Sequence, residues 1–177
     1  MSGALTALAG ALLLAAVSTL GDFVWAKWIP EHRPGYGLAH GTLLFLVLGA
    51  WLGALARRPT AGAAGGGAIG FGAAAGFYVL APWLGTAAMF AAWFLLWIAV
   101  AALDARLAGS VRRRRETLLR GLAAALASGL GFWAISGIWL SPRPGGPDYA
   151  WHFVAWSVAF LPGFLALHLR PAGRASR

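Results

Sequence analysis

Six long, nearly uncharged apolar runs occupy most of this 177-residue chain and leave no room for a soluble domain. A run of about 20 residues, at 1.5 Å per residue, crosses a hydrocarbon layer of roughly 30 Å. Backbone amides in lipid must be hydrogen-bonded within their own segment, so we expect each run to be an α-helix. The predicted spans are residues 4–25, 37–55, 61–80, 84–103, 118–140 and 150–169.

The spans predict an all-α fold, a polytopic membrane helix bundle with six transmembrane helices. Residues 1–170 form a single transmembrane domain in this interpretation, and residues 171–177 form a short, basic, disordered tail. Composition agrees, because 60% of the residues are hydrophobic and 11% are charged, against about 25% charged in a soluble domain. The chain has no cysteine, which excludes disulfides, thiol nucleophiles and cysteine-ligated metals.

The net charge of +9 is distributed unevenly between the two predicted sides of the membrane. One side has three basic residues, Lys27, Arg33 and Arg143. The other side has eight in its connections and three in the tail: Arg57, Arg58, Arg106, Arg112, Arg113, Arg114, Arg115, Arg120, Arg170, Arg174 and Arg177. Cytoplasmic loops carry the excess of Lys and Arg, so we expect both termini to be cytoplasmic and the protein to reside in the inner (plasma) membrane. This placement explains the basic charge without nucleic acid.

The run Arg112–Arg115 is the densest cluster of positive charge. One interpretation is a solvated anchor that sets topology. The other is a strip that binds anionic lipid head groups, with each arginine contributing about 1 kcal/mol near such a surface.

Glycines recur at a spacing of four in the second and third spans. They are Gly37, Gly41, Gly49 and Gly53 in the second, with Gly62, Gly66 and Gly70 on one ridge and Gly72 and Gly76 on another in the third. Such ridges let two helix backbones approach closely. Packing within the bundle is the first interpretation; a homo-oligomer seam and a ligand groove are the alternatives.

The predicted outer side holds the unusual polar residues. Asp22 lies near the outer end of an apolar helix, where a carboxylate needs a partner or a wet cavity. Histidines stand at the start of the second and sixth spans, and both preceding loops open with Trp and contain Tyr. The candidate ligand-binding residues are Asp22, Trp28, Glu31, His32, Tyr36, His40, Tyr149 and His152.

Two other interpretations of this group remain open. Histidine titrates near neutral pH, so the group is also suited to proton transfer. A purely structural role pairs Asp22 with Lys27 or Arg33 instead. The histidine spacing fits no metal-binding motif, and we predict no metal site.

Three tryptophans, Trp93, Trp97 and Trp133, fall in the middle of spans rather than at their ends. An indole N–H at that depth requires an acceptor, for which Ser128 and Ser136 are candidates. Helix packing is the first interpretation of these three rings, and an apolar pocket for lipid or isoprenoid is the alternative.

The sequence contains no nucleophile elbow, phosphate loop, dinucleotide fingerprint or zincin helix, and it identifies no cofactor. Our leading hypothesis is a protein that binds, and thereby transports or senses, an apolar or amphipathic small molecule or lipid from its outer face. The alternatives are an accessory subunit of a larger membrane complex and a membrane-embedded lipid-modifying enzyme. Expected partners are membrane lipids, with a homo-oligomer or a larger complex as a further possibility.

Overall fold

A computed structural model describes residues 3–29, 34–85, 87–109, 114–135 and 148–168. All regular structure in these ranges is helical, and six helices are long and apolar enough to cross a membrane. The predicted membrane helix bundle is thereby confirmed. The helices are α1 (Gly3–Trp28), α2 (Pro34–Leu55), α3 (Pro59–Leu84), α4 (Ala87–Leu107), α5 (Arg114–Ile135) and α6 (Tyr149–His168).

Successive helices run antiparallel, so the bundle has two distinct ends. At one end α1, α3 and α5 finish and α2, α4 and α6 begin, and we call it the Asp22 end. The opposite end, where α1 begins and α6 finishes, is called the terminal end. The tail predicted over residues 171–177 lies outside the described residues, as does the predicted end of the fifth span, 136–140.

The end of α3 differs from the prediction. The predicted third span ends at Leu80, two residues before Pro82, and proline disfavours helix in the residue before it. The helix instead continues through Pro82 to Leu84. It ends at Gly85, which adopts a φ of 55° and donates its N–H to the carbonyl of Ala81. Glycine takes this left-handed conformation without a steric penalty, so the stop comes from Gly85 rather than from the proline.

Helices α2 and α3 make the closest contact in the bundle, and the first glycine ridge is responsible. A side-chain carbon added to either helix along the ridge would collide with the backbone of the other. The residues involved are Gly49 and Gly53 of α2 and Gly62, Gly66 and Gly70 of α3. This part of the prediction, close packing within the bundle, is confirmed.

The second glycine ridge of α3 is not used in this way. Gly72 and Gly76 have no atom within contact distance of where a side chain would begin. They line an open groove of about 260 Å³ between α3 and α4. Helix α3 is also the least buried of the six spans. The same helix therefore presents one ridge that is packed and one that is open.

Helix α1 packs mainly against α6, the last helix of the chain, and only lightly against α2. Large side chains separate α1 from α2, because His40 of α2 lies over Gly21 and Trp51 of α2 lies over Gly10. The main neighbour of the first helix is therefore the last helix of the chain.

Polar contacts join α5 to α6 at two depths. Ser128 donates to the carbonyl of Ala159 at 2.6 Å, and Arg120 donates to the carbonyl of Leu167 at 2.8 Å. Leu167 lies in the last turn of α6, where carbonyls lack helical partners and a cation is favourable. Arg120, counted among the connecting residues in the sequence, is thus a partly buried residue of α5 that also binds Glu116.

A row of aromatic side chains runs the length of α6 at a spacing of four, and we call it the aromatic column. Its members are His152, Trp156, Phe160, Phe164 and His168. Trp156 stacks on Phe160 with ring centroids 5.5 Å apart, and Phe164 stacks on His168 at 6.2 Å. Because residues four apart share one helix face, the column directs the rings of Trp156, Phe160 and Phe164 into the core.

Candidate functional site

The carboxylate of Asp22 is held by two donors on α6. One oxygen, Oδ2, lies 2.9 Å from Nδ1 of His152 and accepts a hydrogen bond from Nε1 of Trp156 at 2.8 Å. His152 and Trp156 are successive members of the aromatic column. The pairing joins residues 130 and 134 positions apart in sequence, and it ties the first helix to the last.

The place of Asp22 in α1, six residues before the end of the helix, bears on its depth in a membrane. Helix α1 has 26 residues and a length of about 39 Å, which exceeds the hydrocarbon thickness of roughly 30 Å. With α1 centred in the bilayer, the Cα of Asp22 lies about 10 Å from the midplane, within the apolar layer. Ionisable residues at such depth are expensive and mark functional sites by default.

Tyr36 and His40 of α2 approach the same turn of α1. The hydroxyl of Tyr36 donates to the carbonyl of Gly21 at 2.7 Å. The Tyr36 and His40 rings stack with centroids 5.9 Å apart, and the His40 ring covers Gly21, where any side chain would collide with it. A glycine beside Asp22 therefore makes room for an imidazole from the neighbouring helix.

Tyr149 completes the group from the start of α6. Its ring lies 5.7 Å from that of His152 and 5.3 Å from that of Phe23, which follows Asp22 in α1. The structure therefore brings together five of the predicted residues, which we call the Asp22 cluster. They are Asp22, Tyr36, His40, Tyr149 and His152.

Three hydroxyl oxygens at the Asp22 cluster are buried without a hydrogen-bond partner among the described residues. They belong to Ser18, Thr19 and Tyr149. Ser18 and Thr19 lie four and three residues before Asp22, and positions at these spacings are neighbours on a helix surface. Ser18 is only 1% exposed. Buried polar groups are normally paired, so this concentration of unpaired hydroxyls requires an explanation.

The other predicted ligand-binding residues are placed differently. Trp28 is largely exposed and touches the cluster only through its contact with the Phe23 ring. Glu31 and His32 lie outside the described residues. The structural alternative named Lys27 or Arg33 as the partner of Asp22. Among the described residues its partners are His152 and Trp156, and Arg33 lies outside them. No three His, Asp or Glu side chains of the described ranges lie close enough to hold a metal ion.

The three mid-span tryptophans separate into two environments. Trp93 and Trp133 line a groove of about 440 Å³ between α4 and α5, together with Phe90, Phe94, Leu126 and Leu130. Nε1 of Trp93 donates to Ser128 at 3.1 Å, as the sequence predicted. Trp97 does not line this groove; it is 1% exposed, covers Gly163 and packs against Phe164 in the core.

The groove and the Asp22 cluster are connected by aromatic rings in contact. Trp93 lies 5.2 Å from Phe132, and Phe132 lies 5.9 Å from Trp156, whose indole binds Asp22. Both sites belong to the half of the bundle nearer the Asp22 end. Arg114 and Arg115 are exposed in the first turn of α5 at the opposite end, and Arg112 and Arg113 lie outside the described residues.

Sequence reasoning missed Trp156 and Ser18. The spacing of four along α6 is visible in the sequence, but an aromatic row of this kind also arises from ordinary core packing. Ser18 carries no signal of its own until Asp22, one turn away, is recognised as the centre of a site.

No protein-family model matches the chain, and neither a curated protein nor a solved structure is similar to it. The chemistry of the cluster must therefore be argued from its own residues. It combines a carboxylate, two imidazoles and two phenol hydroxyls, and the buried hydroxyls of Ser18 and Thr19 belong to the preceding turn of α1. This set can hydrogen-bond a polar group while the rings contact an apolar body.

Proposed function

We propose that the protein binds an amphipathic small molecule or lipid whose polar end is held at the Asp22 cluster. The observation that carries this proposal is the convergence of Asp22, His40 and His152 from three helices, beside buried hydroxyls with no partner among the described residues. In a core that serves only packing, each buried hydroxyl without a hydrogen-bond partner destabilises the fold by about 1–3 kcal/mol.

The α4–α5 groove is the proposed binding surface for an acyl or isoprenoid chain. Its lining is almost wholly apolar, and it opens toward the surrounding lipid. One wall is rigid, since Trp93 is hydrogen-bonded to Ser128 and stacked on Phe160 at 5.4 Å. Because these side chains are already fixed, less conformational entropy is lost when an acyl or isoprenoid chain binds against them.

The proposed orientation places the Asp22 end on the outer side of the inner membrane, on the strength of the arginine distribution. Arg112–Arg115 then face the cytoplasm, where we propose that they bind anionic head groups. The ligand would accordingly be taken from the outer leaflet.

The first prediction concerns retention of a ligand on gentle extraction. Native mass spectrometry of the wild type is expected to show a small-molecule adduct, and Asp22→Asn, His40→Ala and His152→Ala are each expected to reduce it at least tenfold. A lost hydrogen bond to a charged group accounts for about 1.5–3 kcal/mol, which is this magnitude.

Matched controls come from the terminal end, where Asp104→Asn and His168→Ala change the same residue types far from the cluster. These controls should retain the adduct. Equal adduct intensity in the wild type and in all three cluster variants would remove the proposed site.

A second candidate function is that of a subunit in a larger membrane assembly or a homo-oligomer. The open ridge at Gly72 and Gly76 and the large exposed surface of α3 favour it. The same spectra distinguish the two functions, because a stable partner chain or a second copy adds protein mass rather than a small-molecule mass.

A further inference from the structure

We infer that the α4–α5 groove holds an isoprenoid chain and that Gly129 of α5 determines this specificity. The inference rests on the proposed function, because it takes the groove as the site of the apolar part of the ligand. It adds the chemical class of that part and names a specificity-determining residue. Gly129 acts by leaving space, so its role can be tested by filling that space.

Gly129 is placed differently from the other glycines of α5. A side chain added at Gly121 would collide with the backbone of Ile98, and one added at Gly131 would collide with the carbonyl of Val158, so both allow a close helix contact. At Gly129 no atom of a described neighbour lies within 4 Å of where a side chain would begin. Glycine in the middle of a helix is less stable than alanine, and helix packing does not require it here.

The position of the groove in the membrane fixes the chemistry of what fills it. Helix α4 has 21 residues and a length of about 32 Å, close to the hydrocarbon thickness of roughly 30 Å. Phe90 and Phe94, which line the groove, follow the start of α4 by three and seven residues. With α4 centred in the bilayer they lie about 5–11 Å from the midplane, on the Asp22 side. The groove therefore opens into the hydrocarbon of one leaflet, and its occupant is a hydrocarbon chain.

The polar atoms beside Gly129 are already paired with each other. Nε1 of Trp93 donates to the hydroxyl of Ser128 at 3.1 Å, and that hydroxyl donates to the carbonyl of Ala159 at 2.6 Å. Neither group needs a partner from a ligand. This part of the groove is therefore suited to the chain of the ligand and not to its polar end.

The two walls of the groove favour a branched, unsaturated chain. The α4 wall is formed by aromatic rings, among them Phe90 and Phe94. On the α5 wall Leu126 and Leu130 project, while Gly129 between them leaves an open space that we call the Gly129 notch. An isoprenoid matches both walls, because each of its units has a methyl branch that can enter the notch and a double bond that can lie on a ring. A straight chain would leave the notch empty and lose those dispersion contacts.

The test compares two alcohols that share a head group and a length of carbon backbone. Farnesol is methyl-branched and unsaturated, and dodecan-1-ol is straight and saturated. Each is titrated into the full-length protein in micelles of a bile-salt-type detergent, which has no flexible chain to compete for the groove. Binding is followed by tryptophan fluorescence, since Trp93 and Trp133 line the groove, and by native mass spectrometry. Farnesol is expected to bind about tenfold more tightly, the effect of small apolar groups that fill a pocket.

The variant that tests the notch is Gly129→Leu. Its side chain occupies the notch, so we expect farnesol to bind about tenfold more weakly or worse. The ligand-free variant should unfold at the same temperature as the wild type or higher, because the side chain meets open space and leucine favours helix. The matched control is Gly72→Leu, the same change at an open glycine of the α3–α4 groove, which should bind farnesol like the wild type.

Four results would overturn the inference. They are no binding of farnesol, binding of dodecan-1-ol as tight as that of farnesol, an affinity in Gly129→Leu no weaker than in Gly72→Leu, and a lower unfolding temperature of Gly129→Leu. The last would show that Gly129 serves packing. The proposed function fails by a different result, an adduct from native lipids that survives in the Asp22, His40 and His152 variants, so the two failures are distinguishable.

Discussion

At the residue scale, Asp22 shows how a carboxylate is accommodated deep in an apolar helix. Within the described ranges its partners are an imidazole and an indole rather than a lysine or an arginine. Its side chain remains 25% exposed, so it stays accessible to a ligand. The neighbouring Gly21 makes space for His40, and a larger residue there would displace the second imidazole.

Trp93 allows a residue-scale prediction about stability. Trp93→Phe keeps an aromatic ring between Phe132 and Phe160 but removes the N–H that donates to Ser128. We expect the free energy of unfolding to fall by about 1–2 kcal/mol, from the lost hydrogen bond and the smaller ring. Denaturant unfolding in mixed micelles measures this change.

The matched control is Trp83→Phe, because Trp83 is 75% exposed near the end of α3. Its effect should lie within about 0.5 kcal/mol. A fall of similar size in both variants would show that the Trp93–Ser128 bond contributes no net stability.

Single residues were only partly predictable from the sequence. Trp93 and its acceptor Ser128 followed from the need of an indole N–H for a partner. Trp97 was assigned to the same pocket, but its ring covers Gly163 of α6 in the core. Nothing in the sequence indicates that Gly163 lies opposite Trp97. Which tryptophan faces a groove depends on helix rotation, and helix rotation depends on contacts between segments far apart in sequence.

At the scale of single helices, α3 carries two glycine ridges with the same spacing, but only one of them packs against another helix. The ridge at Gly62, Gly66 and Gly70 packs against the backbone of α2, whereas the ridge at Gly72 and Gly76 is open. Without a hydrophobic driving force between helices in lipid, such close contact is a main source of association. The α2–α3 pair is therefore a tightly joined unit.

This difference predicts opposite effects of one substitution on a single helix. Gly66→Ala places a methyl group against the carbonyl of Phe45 and the backbone of Gly49, so we expect a loss of about 1–3 kcal/mol in unfolding free energy. Gly72→Ala meets open space and should be neutral or stabilising by up to about 1 kcal/mol, since alanine favours helix.

Thermal unfolding of the two variants in the same detergent checks the prediction. Gly76→Ala serves as a second open position and should behave like Gly72→Ala. An equal loss at Gly66 and Gly72 would indicate that the open ridge is itself packed against another chain.

The positions of the helices were well predicted because length and apolarity are local properties. Their ends were less certain. Helix α3 passes through Pro82 and stops at Gly85, and α5 begins at Arg114, so two arginines assigned to a loop lie in its first turn. Helix ends depend on local capping conformations, such as the positive φ of Gly85, that composition does not reveal.

At the scale of the whole molecule, the orientation prediction can be tested directly because the chain has no cysteine. Ala87→Cys places a thiol at the Asp22 end, and Ala108→Cys places one at the terminal end; both positions are exposed. A membrane-impermeant maleimide added to intact cells is expected to label the first and not the second. Lysis should allow both to be labelled.

The cysteine-free wild type gives the background for this experiment. Labelling of Ala108→Cys from outside, with Ala87→Cys protected, would reverse the orientation. The Asp22 cluster would then face the cytoplasm, and the proposed source of the ligand would change with it.

The contact between α1 and α6 also has a consequence for biogenesis. His152 is synthesised 130 residues after Asp22, which at about 5–20 residues per second is a delay of roughly 6–26 s. During that interval the first helix waits at the translocon or in the bilayer with its carboxylate lacking both α6 donors. A nascent chain truncated before α6 lacks both donors to Asp22 and is an expected substrate for membrane quality control.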